Sequence, residues 1–90
     1  MNKILDFRNV DDIVAAHEII KEELKFPYYY GKNLDALNDC LSEFDKNVHI
    51  YILTYEDTFD GFENILKVFD DNQIDYEIVI SAGRDKKEFG

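Results

Sequence analysis

Twenty acidic residues against ten basic ones give this 90-residue chain a formal net charge of −10, which argues against nucleic acid, whose phosphates need Lys and Arg, and favours a basic protein partner. Ninety residues make one domain, and seven Phe and six Tyr supply its core. The lone cysteine, Cys40, forbids an intrachain disulfide, and no stretch approaches the ~20 apolar residues of a membrane span or the apolar core of a leader peptide, so a cytoplasmic, soluble protein is expected.

Lys3 to Phe7 reads as a short strand, with Ile4, Leu5 and Phe7 apolar. Asn9 offers a helix cap, with Asp12 three residues on where the acid of a capping box would sit. Ile13, Val14, His17, Ile20 and Leu24 follow at helical spacing and predict a helix from about Val10 to Lys25. Phe26-Pro27 ends it, because the residue before proline is pushed out of helical geometry. In the loop from Tyr28 to Lys32, Gly31 offers a positive φ or a close approach for a partner's backbone. Leu34, Leu37, Leu41 and Phe44 then recur at three and four residues, so a second helix starts after Asn33 as N-cap and ends near Phe44.

Asp45-Lys46-Asn47 is a polar turn, and Val48 to Leu53 is almost continuously apolar and β-branched. That pattern predicts a strand covered on both faces. Thr54 to Phe59 fits a turn or one short helix. Asp60 to Glu63 has the spacing of a capping box with Asp60 as N-cap, and Phe62, Ile65, Leu66 and Phe69 carry a helix to about Asn72. Asp75 to Ser81 alternates, with Tyr76, Ile78 and Ile80 on one side, and reads as the last strand. The charged stretch 82–90 is expected to fray. Strands separated by helices imply parallel pairing and right-handed crossovers. The expected fold is α/β: a single domain over 1–90, with a three-stranded parallel sheet packed with three to four helices.

The second helix carries the clearest functional signal. At roughly 100° per residue, Asp35, Asn38, Asp39 and Ser42 fall in one narrow sector, and Ala36, Leu37, Cys40 and Leu41 point away. Asp35 and Asp39 are one turn apart, and like charges at that spacing cost a few tenths of a kcal/mol. Solvation and the helix dipole accommodate such acids without any function; a cationic partner would use both at once. His17 and His49, the two histidines, sit in a helix face and a strand with no recognisable nucleophile beside them, and are expected to be structural. No phosphate loop, paired Cys/His ligands or dinucleotide turn is present, so neither catalysis, nor a cofactor, nor a metal is expected.

The run Tyr29-Tyr30-Gly31, Asn33-Leu34-Asp35-Ala36-Leu37 and Asp39-Cys40-Leu41 strongly resembles the barstar family of ribonuclease inhibitors. The likeness continues through Lys21, Glu22, Glu23, Leu24 and Pro27 and, more weakly, over most of the chain to Val68-Phe69. The resemblance implies the same three-stranded fold, and a loop and second helix that plug a ribonuclease's cationic cleft. It carries over Tyr29, Gly31, Asn33, Leu34, Asp35, Asn38, Asp39, Ser42 and Phe44 as contacts, with Tyr30 as further aromatic surface and Asp71 as an acid from the last helix. Asn38 and Phe44 stand where the family has tryptophan, and this chain has none, which points away from barnase itself toward a different cognate enzyme. The expected function is inhibition of a small extracellular or toxin-type ribonuclease in a 1:1 complex, as an immunity protein that is monomeric when free. The rival is a barstar-like interaction module that binds a basic partner other than a nuclease.

Overall fold

Strand β1 (Asn2–Asp6) leads into helix α1 (Ile13–Leu24), and helix α2 (Leu34–Ser42) follows before strand β2 (His49–Thr54); helix α3 (Phe62–Asp71) and strand β3 (Asp75–Ile80) complete the order. These elements come from a computed structural model that describes residues 1–82; the expected frayed stretch lies almost wholly outside the described residues. The sheet runs β1-β2-β3 with both pairs parallel, Leu5 beside Ile52 and Ile52 beside Ile78. The chain thus steps twice across the sheet in the same direction. Two crossovers of one hand, each stepping the same way, put their helices on the same face of the sheet.

Burial follows that geometry. Leu5, Phe7, Ile50, Ile52 and Thr54 point to the helices and are buried, with Ile20, Leu37, Leu41, Ile65 and Phe69 packed over them. Phe7, Phe59 and Phe62 meet edge to face at 5.5–6.2 Å between ring centres. The alternate positions of β2, His49, Tyr51 and Leu53, are only half-covered. The expectation of a strand covered on both faces is corrected here: the apolar run reflects a central strand in a sheet packed on one side.

Two helix starts differ from their predicted positions. Asp12, not Asn9, caps α1, its Oδ1 accepting the Ala15 amide at 2.9 Å. The chain before it is used otherwise: the Val10 amide donates to the Phe7 carbonyl at 3.2 Å. Gly61, not Asp60, caps α3, with φ +97° and no side-chain hydrogen bond. A Cβ there would lie 2.6 Å from Ile13 Cδ1, so both φ and space require glycine. Of the segment Thr54 to Phe59, Thr54 ends β2 and the rest forms a bend at Glu56-Asp57 and no fourth helix. Its apolar residue Phe59 turns into the core instead.

Candidate functional site

The site grows from the junction of α1 and the loop that follows it. Lys25 ends α1 in the left-handed region (φ 61°), and its amide closes on the Lys21 carbonyl. The chain then turns so that the three tyrosines diverge. Tyr28 and Tyr29 are 88% and 74% exposed, with rings edge to face at 5.5 Å. Tyr30 turns inward and is 5% exposed. Its hydroxyl lies 2.6 Å from Nδ1 of His17, itself buried in α1. Burial lowers the His17 pKa and raises that of Tyr30, so a neutral imidazole and a phenol share this bond. The reading of Tyr30 as partner surface is therefore corrected: it is a core residue that fixes the loop to α1. His17 has the structural position expected of it.

Gly31 also has a different role from a positive φ. The left-handed residue of the loop is Lys32 (φ 56°), and its ammonium pairs with Glu18 of α1. Gly31 answers a space requirement, since a Cβ would lie 3.3 Å from both Ala36 Cβ and Asn33 Nδ2. Asn33 caps α2 as expected, Oδ1 accepting the Ala36 amide at 2.8 Å. The other end of α2 has no basic residue in its last turn. Lys46 reaches back instead and donates to the Leu41 carbonyl at 2.7 Å, complementing the negative end of the dipole.

Between these ends, Asp35, Asn38, Asp39 and Ser42 are exposed, and Leu37 and Leu41 are buried beneath them. Among the described residues, no basic side chain pairs with Asp35 or Asp39. Ser42 donates its hydroxyl to the Asp39 carbonyl at 2.7 Å. Leu34 and Phe44 are half-buried against the core, and Phe44 meets Phe26 edge to face at 6.4 Å. A shallow concavity of about 460 Å³ opens there, lined by Pro27, Tyr29, Asp39, Cys40, Glu43 and Phe44, among others. The Cys40 thiol is pushed up chiefly by burial, with Asp39 and Glu43 adding to the shift, so it is a packing group and not an activated nucleophile.

Helix α3 lies against α2, and one bridge between them was invisible in the sequence. Asn72, the C-cap of α3, donates Nδ2 to Asn38 Oδ1 at 2.8 Å and to the Val68 carbonyl at 2.9 Å. No spacing rule connects residues 34 apart. Asp71, next to Asn72, is exposed and lies 3.4 Å from Lys67 of its own helix. The structure thus gathers Tyr29, Asn33, Asp35, Asn38, Asp39 and Ser42 on one surface, places Asp71 beside the bridge to it, and removes Tyr30. No cluster of three or more metal-ligating side chains occurs among the described residues, and no helix among them is long and apolar enough to cross a membrane.

The molecule is a small parallel α/β domain that sets two carboxylates and an aromatic pair on one exposed helix–loop surface. The match to known proteins is more specific: residues 1–89 fit the family model described as Barstar (barnase inhibitor), and the chain belongs to the barstar family. That is a family of inhibitors and not of enzymes. The chain is also similar to a Bacillus subtilis (strain 168) protein named "Putative ribonuclease inhibitor YrdF", with 51% identity over 39 residues, 43% of each chain. The match thus spans less than half of that relative.

Proposed function

We propose that this protein is a stoichiometric inhibitor of a small basic ribonuclease, acting by occlusion of the enzyme's cationic cleft. The observation that carries this reading is the pair Asp35 and Asp39, exposed one turn apart beside Tyr29 and unmatched by any basic side chain among the described residues. A ribonuclease cleft is lined with cations that hold phosphate. Two carboxylates on a rigid helix can occupy the phosphate positions and accept Arg or Lys hydrogen bonds. Tyr29 adds a large, stiff, amphipathic anchor at the edge of that face. The family membership and the name of the relative support the same reading. The complex is 1:1, the free chain is a monomer in the cytoplasm, and the cell is protected from its own exported or toxin-type enzyme. An interface of this kind buries ~1,600 Å² in total, and in this reading the loop around Tyr29 and the rim near Asp71 take part in it with the acidic face.

The test is a capture experiment from the source cell's secreted and cytoplasmic proteins, with the wild-type chain and Asp35→Ala/Asp39→Ala as baits. A small basic ribonuclease retained only by the wild type, and silenced in an RNA-cleavage assay, supports the proposal. A partner that is not a nuclease, retained only by wild type, replaces it with the interaction-module reading. Equal capture by both baits overturns the choice of face.

A further inference from the structure

The amide bridge between α2 and α3 fixes more than helix packing. The Val68 carbonyl can only accept a hydrogen bond. Nδ2 of Asn72 must therefore face it, at 2.9 Å. The same Nδ2 lies 2.8 Å from Asn38, so the atom that Asn38 turns toward α3 is its oxygen. The usual ambiguity in the orientation of an Asn amide is removed by the chain of donors and acceptors itself. Asn38 is exposed, its oxygen is engaged, and no acceptor among the described residues takes its Nδ2 protons. Asp35 lies one turn before it, Asp39 beside it and Ser42, whose hydroxyl proton is already given to the Asp39 carbonyl, one turn after, so on the helix face itself an oriented donor sits among acceptors.

We propose that Asn38, oriented by Asn72, is the specificity-determining donor of the acidic face, and that the partner places a hydrogen-bond acceptor opposite it. This rests on the proposed function for the site and deepens it. A purely cationic cleft satisfies Asp35 and Asp39 but leaves Asn38 buried and unpaired, which is costly. The partner that fits is a basic cleft that carries one carbonyl or carboxylate oxygen among its cations. Asn72 is a positioning residue: it touches no partner and acts through Asn38.

Asn38→Asp separates this from simple electrostatics because the two predict opposite signs. The variant keeps an oxygen for Asn72, removes the outward donor and adds a negative charge. The probe is the small basic ribonuclease captured by the wild-type chain, with inhibition followed by RNA cleavage and binding by titration calorimetry. About tenfold weaker inhibition is expected for Asn38→Asp, despite its greater acidity. Asn72→Ala is expected to weaken inhibition less, about threefold, because Asn38 then points the correct way only part of the time. Equal or tighter inhibition by Asn38→Asp overturns the proposal. A second readout needs no partner: in the free wild-type protein, the Asn72 side-chain amide protons should exchange with water more slowly than those of Asn64, an exposed residue of the same helix. Equal exchange rates overturn the bridge. Capture of no ribonuclease by the wild-type chain overturns the proposed function and this inference with it, whereas a captured ribonuclease inhibited equally well by Asn38→Asp overturns the donor alone.

Discussion

Two acidic surfaces face solvent in this protein, and they are built in opposite ways. On the helix-free face of the sheet each strand acid has a basic neighbour. Asp6 accepts two hydrogen bonds from the Arg8 guanidinium, at 2.8 and 2.9 Å. Asp75 lies 2.8 Å from His49 Nδ1, and Glu77 lies 3.6 Å from Nε2 of the same ring. On α2, Asp35 and Asp39 have no such partner among the described residues. Sign and exposure are alike, but availability differs. A net charge of −10 says how a chain attracts a basic protein at long range; only the local pairing says where that protein can dock.

The largest effect should come from removing an available acid. Asp39→Ala is expected to weaken ribonuclease inhibition about a hundredfold, within the range for truncating one side of a desolvated charge pair. Asp71→Ala, whose carboxylate already faces Lys67 at 3.4 Å, should cost less than about fivefold, as rim charges do. Titration calorimetry with the captured enzyme checks the ratio, and comparable losses would erase the distinction between the two kinds of acid.

The tyrosines sharpen the same comparison between surface and frame. Tyr30→Phe removes the hydroxyl 2.6 Å from His17 and should lower stability by about 1–3 kcal/mol, the cost of leaving a buried partner unpaired. Inhibition should persist where the variant is folded. Tyr29→Ala should do the reverse, weakening inhibition with little change in the urea midpoint. A Tyr30→Phe variant with full stability and lost inhibition would return Tyr30 to the binding surface. Gly61→Ala should destabilise by about 1–2 kcal/mol through its positive φ and the contact with Ile13.

The smallest effects are in pH dependence. Hydrogen bonding to Asp75, with Glu77 close by, raises the His49 pKa above its ordinary 6.5. The native state then holds a proton more tightly than the unfolded chain does. That stabilisation is complete below pH 6.5 and is lost as the pH rises through the raised value. His17 has the opposite sign. Burial lowers its pKa, so it opposes folding increasingly as the pH falls below 6.5 and is neutral in its effect above. Urea titrations of wild type and His49→Gln at pH 6 and pH 8 separate the two. The wild type should lose more stability than the variant between these values, and parallel curves would show that the sheet acids are as unengaged as those of α2.

Much of this was legible in the chain itself. The spacing of Leu34, Leu37 and Leu41 dictates α2 and its buried stripe, Asn33 dictates its start, and the sector holding Asp35, Asn38, Asp39 and Ser42 follows from helix geometry alone. The apolar run of β2, the alternation in β3 and the helices between strands are enough for a parallel sheet. The caps were harder. Asn9, Asp12, Asp60 and Gly61 all have plausible cap chemistry, and the choice among them depends on where the chain packs, as the approach of Gly61 to Ile13 shows.

The sequence by itself determined the elements, the apolar faces and the acidic sector, because these depend on periods of two and 3.6 along one chain. Only the tertiary structure decided which tyrosine is core, which face of the sheet is bare, which acids are already matched and which way Asn38 turns. Each of those depends on a neighbour far away in the chain. The contact of Asn72 with Asn38, 34 residues apart, exists only once α3 lies against α2.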